Sequence, residues 1–130
     1  MHKIGIIGGG QLGKMMILDA KRLDDYFVIL DPTLHCPAHS IADEHIVAAI
    51  EELASKVDVV TYEFEHISVK ALQQVEAKGC PVYPSSETLL HIQNKYDQKQ
   101  WLMSHGLPVP DFRKADSYEQ LVEDCDYFGY

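Results

Sequence analysis

A chain of 130 residues with 46% hydrophobic and 24% charged residues has the make-up of an ordinary globular domain, and excludes a disordered tail or a fibrous protein. Eleven Lys and Arg against 20 Asp and Glu leave a formal charge of −9, which repels a nucleic-acid backbone and an anionic membrane alike. No apolar run reaches the roughly 18 residues of a membrane span, and the stretch after Met1-His2-Lys3 is too short for a secretory signal, so the cytoplasm is the expected compartment. Three scattered cysteines, Cys36, Cys80 and Cys125, suit reduced, packed thiols better than a disulfide framework.

Short apolar runs alternate with amphipathic stretches, a rhythm that predicts an α/β fold of three layers, a parallel sheet covered by helices. Five strands are expected, at Lys3 to Ile7, Tyr26 to Leu30, Glu44 to Ala48, Asp58 to Phe64 and Pro81 to Tyr83. Helices are expected at Gln11 to Lys21, Ala49 to Lys56 and Ser68 to Lys78, the last with Val69, Leu72 and Val75 on one face and Gly79 as its stop. Two more follow Pro84, at Glu87 to Leu90 and Gln93 to His105. Leu107-Pro108-Val109-Pro110 then fixes an extended connector. The expected division is therefore a domain over 1–106 and, over 107–130, the connector and the start of a second domain. In that second part a short strand at Phe112 and an acidic helix from Ser117 to Asp126 are expected.

Gly8, Gly10 and Gly13 form a GxGxxG pattern directly after the first strand, where glycine permits a tight turn and close approach to the backbone. The helix starting at Gln11 would aim free amides at that space, and Asp31 ends the second strand where a dinucleotide fold carries its ribose-binding acid. An NAD-dependent dehydrogenase module is one reading of this pattern. Glycines that only pack strand on helix are the other.

The sharper feature is Thr61-Tyr62-Glu63-Phe64-Glu65-His66-Ile67, which ends an apolar strand with two carboxylates one residue apart, on one side of the strand by its period of two. At the carboxyl end of a central strand such acids lie where open α/β sheets bind ligands. They repel a pyrophosphate and suit hydroxyl or amino groups, which counts against NAD. His35, Cys36 and His39 lack a second ligand cluster, so no metal site is expected. No Ser, His and Asp constellation suggests nucleophilic catalysis.

Ile6-Ile7-Gly8-Gly9-Gly10-Gln11-Leu12-Gly13-Lys14-Met15-Met16, Leu30-Asp31-Pro32, Asp58 through Ile67, Val82-Tyr83-Pro84-Ser85, Gln93-Asn94-Lys95 and Gly106 through Pro110 occur in an order that resembles the N5-carboxyaminoimidazole ribonucleotide synthases. These are the ATPase subunits of phosphoribosylaminoimidazole carboxylase in de novo purine synthesis, and belong to the ATP-grasp superfamily. The resemblance implies a Rossmann-like pre-ATP-grasp domain. It also implies a reaction in which ATP and bicarbonate give carboxyphosphate, whose carboxyl group passes to the amino group of aminoimidazole ribonucleotide. Mg²⁺ would bridge the nucleotide phosphates, with most of the ATP and metal site in later domains. Family members continue past a segment like Tyr127-Phe128-Gly129-Tyr130 into a strand with an ATP-binding lysine and a glycine-rich lid, so this chain alone is expected to be inactive. Gly10, Gln11 and Leu12 stand at ribonucleotide-contacting positions, and Glu63 matches the substrate-binding glutamate of the related formate-dependent transformylase, with Glu65 as the second acid. Lys95 stands where the family usually has an arginine that reaches ATP. A non-catalytic ribonucleotide-binding domain is the remaining alternative, and a homodimer is left open.

Overall fold

A computed structural model describes all 130 residues, in two compact units, Met1–Leu90 and His91–Tyr130. In the first unit, strands β1 (Lys3–Ile7), β2 (Tyr26–Leu30), β3 (Glu44–Ile46) and β4 (Val59–Tyr62) form one parallel sheet in the order β3-β2-β1-β4. Central β1 pairs Ile6 with Ile29 on one side and with Thr61 on the other. Buried on both faces, β1 and β2 read as nearly unbroken apolar runs, as the sequence reading expects of a parallel sheet.

The period of two sends alternate side chains to opposite layers. Ile6, Phe27 and Ile29 pack on one face against Ile17 of α1 (Gln11–Ala20), together with Cys36 and Ala38. The other face carries Gly5, whose missing side chain leaves room for Leu53 of α2 (Ile50–Ala54) and for Val57, and α3 (Val69–Ala77) packs beside α2. This is the expected three-layer, Rossmann-like arrangement.

Several boundaries move. The strands expected at Glu44 to Ala48 and Asp58 to Phe64 are shorter, and the fifth, Pro81 to Tyr83, is reduced to a single parallel bridge between Val60 and Val82. Pro81 and Pro84 have no N–H to give a ladder, so only Tyr83 N–H→Val60 O and Val60 N–H→Pro81 O close, each at 2.9 Å. Asp58 lies before β4 because its carboxylate accepts the Lys3 N–H at 2.8 Å, across the amino edge of the sheet. The first helix ends one residue early, in a 3-10 turn over Lys21–Leu23. Ser68 is the N-cap of α3, its Oγ accepting from Ala71 N–H, and Asn94 and Ser117 cap α5 (Lys95–Ser104) and α6 (Tyr118–Phe128) in the same way.

The segment expected to be helical from Glu87 is α4 (Ser86–Gln93), one residue longer at its start because Glu76 of α3 holds its first turn. The Glu76 carboxylate accepts the Ser86 N–H at 2.9 Å and also the Ser86 hydroxyl.

In the second unit no strand forms at Phe112; its ring meets Tyr96 of α5 edge-on, with centroids 5.6 Å apart. Arg113 bonds Asp124 of α6 at 3.1 Å and lies over the Tyr127 ring. Helix α5 thus packs with the segment that follows it, and the units divide at Leu90/His91, ahead of the proline connector at which the sequence reading separates 1–106 from 107–130.

Replacing Glu76 by Ala strands the donors of Ser86, which is buried. Urea unfolding of Glu76→Ala is expected to show a loss of about 1–3 kcal/mol, the usual cost of orphaning such groups.

Candidate functional site

The turn after β1 is where the fold brings its chemistry together. Gly8 follows the strand with φ +102°, a conformation that favours glycine, and its N–H bonds Leu30 O at 2.9 Å. Gly10 then serves as the N-cap residue of α1 without a side chain to offer, so the first amides of the helix need acceptors from elsewhere.

Those acceptors come from the ends of the neighbouring strands. The Glu63 carboxylate, one residue beyond β4, accepts the Gly10 N–H through Oε1 at 2.9 Å and the Gly13 N–H through Oε2. Asp31, one residue beyond β2, accepts the Gly9 N–H through Oδ2 at 2.8 Å and the Thr33 N–H through Oδ1 at 2.7 Å. Burial opposes the Asp31 charge, but these two backbone donors, the Thr33 hydroxyl and nearby His45 outweigh it and hold the carboxyl below the ordinary range. His45 belongs to the same support: its Nε2 lies 2.9 Å from Asp31 O and its Nδ1 2.9 Å from His39 Nδ1.

The glycine pattern is therefore closed from both sides by negative charge. Amides that would greet a pyrophosphate in a dinucleotide fold are spent on Asp31 and Glu63. The glycines are also sterically required. A Cβ on Gly13 would come within 2.8 Å of Gly8 O, and one on Gly9 would overlap Cys36 Sγ. Burial, then the Asp31 charge, push the Cys36 thiol up, which makes it a packing group rather than a nucleophile.

Gly10 and Glu63 are in direct contact, and Gln11 and Leu12 follow on the first turn of α1 with exposed side chains. Glu65 is half-buried in the loop after β4, its carbonyl accepting the Ile67 N–H at 2.9 Å. Lys95 lies in the other unit at the start of α5, its Nζ donating to Ile92 O at 3.2 Å. His35, Cys36 and His39 form no metal-binding group, and no cluster of three or more His, Cys, Asp or Glu side chains is arranged to hold one. No helix is long and apolar enough to cross a membrane.

Sequence reasoning did not single out a cleft of about 370 Å³ at the carboxyl edge of the sheet, where Leu30, Asp31, Val47, Phe64 and His66 converge. Asp31 carried a signal by its spacing from the glycines, and Leu30, Phe64 and His66 stood in motifs read for their acids, while Val47 carried none.

An open parallel sheet with a ligand-type glycine turn at its carboxyl edge, closed by strand-end carboxylates, defines a Rossmann-like α/β domain outside the dinucleotide-binding pattern. The sequence profile of the ribonucleotide synthetase preATP-grasp domain matches residues 1–93, and the chain belongs to that family. It is 46% identical to N5-carboxyaminoimidazole ribonucleotide synthetase from Thermotoga maritima, with a TM-score of 0.81 over 95% of this chain and 36% of that one. The synthase of Aspergillus clavatus, solved in complex with ADP and 5-aminoimidazole ribonucleotide, is 33% identical with a TM-score of 0.81 over 99% of this chain and 36% of that one. Among curated relatives, the N5-carboxyaminoimidazole ribonucleotide synthase of Staphylococcus saprophyticus is 37% identical over 133 residues, 98% of this chain and 35% of its own length. The chain thus spans about a third of the length of these relatives.

Two outcomes follow from the closed turn. Gly13→Ala is expected to lose about 1–3 kcal/mol in urea unfolding, typical of a side chain forced into filled space. Because the folded pKa of Asp31 is lowered, its ionised form stabilises the fold fully above the unfolded value near ~4, and that contribution is lost as pH falls through the folded value. The stability gap between the wild type and Asp31→Asn is therefore expected to shrink in acid, which urea titrations between about pH 6 and 2.5 would read.

Proposed function

We propose that this chain supplies the ribonucleotide-binding part of an ATP-dependent ligase that carboxylates aminoimidazole ribonucleotide with bicarbonate to N5-carboxyaminoimidazole ribonucleotide, in the cytoplasm. The observation that carries the reading is similarity to such synthases along nearly the whole chain, with Glu63 seated on the turn that presents Gln11 and Leu12.

Gly10, Gln11, Leu12, Glu63 and Glu65 bind the ribonucleotide in this reading. After accepting the two glycine amides, each Glu63 oxygen keeps a lone pair for a ribose hydroxyl or the substrate amino group. The carboxylates disfavour a phosphate at the turn itself, so the 5′-phosphate points away from it. Bound in that orientation, the amino group is held for carboxylation rather than left to diffuse.

ATP with Mg²⁺ would supply the activated carboxyl group. With the Gly9, Gly10 and Gly13 amides held by carboxylates, the turn is a poor cradle for a triphosphate, and in this reading ATP is held mainly by parts of the enzyme outside this chain. Lys95 adds a positive charge at the start of α5, as a point charge without the planar fork of arginine. The domain organisation proposed with this reading, a first domain over 1–106 and the beginning of the next over 107–130, refers to the longer enzyme and does not coincide with the compact units, which divide at Leu90/His91.

Titration of the chain with aminoimidazole ribonucleotide, followed by amide NMR, is expected to shift Gly10, Gln11, Leu12 and Glu63. Unmoved signals at millimolar ligand would overturn the assignment. In the longer enzyme, Glu63→Gln is expected to lower kcat/KM for the ribonucleotide by about 1–3 kcal/mol while KM for ATP barely changes. Gln11→Ala, at an exposed position outside the carboxylate contacts, separates substrate contact from damage to the turn.

A further inference from the structure

The cleft at the carboxyl edge takes no part in the reading above, and none of Gln11, Leu12, Glu63 and Glu65 lines it. The chain leaves β1 toward β2 on one side of the sheet and reaches β4 on the other, so the strand order reverses at β1, where open α/β sheets receive ligands. Its volume of about 370 Å³ falls within the ~300–1,000 Å³ of small-molecule sites.

The lining is specific about charge. No lysine or arginine is present, and the walls are mostly apolar, from Leu30, Val47, Phe64 and Ile67. Val47 is 55% exposed and Phe64 39%, so both offer uncovered surface to a planar group. Asp31 is the acid at the end of β2, the place from which a dinucleotide fold reaches ribose hydroxyls. Its carboxylate accepts the Gly9 and Thr33 N–H groups and the Thr33 hydroxyl, which leaves room for one more donor such as a ribose hydroxyl. The phosphate half of such a site is closed here, with the Gly9, Gly10 and Gly13 amides held by Asp31 and Glu63. The nucleoside half is not.

We propose that this cleft binds a neutral nucleoside, a ribose hydroxyl on Asp31 and its base against Phe64 and Val47, and discriminates against the phosphorylated forms. The inference stands apart from the ribonucleotide reading, because it uses different side chains.

Adenosine titrated into the ¹⁵N-labelled chain is expected to give saturable shifts at Leu30, Asp31, Val47 and Phe64, with a dissociation constant below about 1 mM. 2′,3′-Dideoxyadenosine, which lacks the hydroxyls, and ADP, which brings charge, are each expected to bind at least about tenfold more weakly. Val47→Trp, at an exposed position, fills the cleft and is expected to weaken adenosine by at least about tenfold. Absence of saturable shifts overturns the proposal, as do shifts centred on Gln11 and Glu63. So does dideoxyadenosine or ADP binding as tightly as adenosine, since either removes the role given to Asp31 or the closure of the phosphate half.

Discussion

Everything at the carboxyl edge of the sheet depends on one interaction, the Glu63 carboxylate across the amides of Gly10 and Gly13. It joins the end of β4 to the start of α1, residues more than 50 positions apart in the chain for Gly10 and 50 apart for Gly13. A carboxylate there satisfies two of the orphan N–H groups of a helix start and meets the positive end of its dipole. Charge-assisted bonds of this type contribute about 1.5–3 kcal/mol, more than neutral ones. The same contact sets the sequence of the turn: Gly13 has no space for a Cβ, and Gly8 must hold a positive φ beneath Glu63.

Negative charge is used as scaffold throughout the first unit. At the amino edge Asp25 accepts the His2 N–H and Asp58 the Lys3 N–H, while Asp43 accepts the Phe27 N–H, each at 2.8 Å. At the carboxyl edge Asp31 and Glu63 do the same for the glycine turn. A parallel sheet leaves unpaired amides where its strands begin and where its loops turn back, and a short carboxylate from the next element is a compact acceptor for them. Part of the net charge of −9 is thus committed to the backbone. The glycine motif shows the consequence for ligands. Its spacing is that of a phosphate-binding loop, but a loop whose donors are already bonded to carboxylates selects hydroxyls, amines and uncharged surfaces.

The second unit is held by different means. Aromatic and cationic groups dominate, with Tyr96 against Phe112, Lys99 over Phe112 at 5.4 Å and Arg113 between Asp124 and the Tyr127 ring. The prolines at 108 and 110 follow the end of α5 in a stretch without helix, as expected, yet they lie within the second compact unit, because Phe112 and Arg113 beyond them pack with α5 and α6. Local backbone rules mark where a helix must stop; which pieces then pack together is a question of side chains on both sides of the stop.

The sequence alone determined the layered α/β plan, because buried parallel strands such as Lys3–Ile7 and Tyr26–Leu30 and the helices between them are written in local periodicity. It also determined the glycine turn and the pairing of that turn with the strand-end acids as candidates, through residue types with narrow uses. Tertiary structure decided what those candidates do. That Glu63 reaches Gly10 and Gly13 and that Asp31 reaches Gly9 are outcomes of how segments distant in the chain are brought together, which the residue types alone do not specify. The cleft is the clearest case, since Leu30, Val47 and Phe64 come from distant stretches of the chain and become walls only when those stretches meet at one edge.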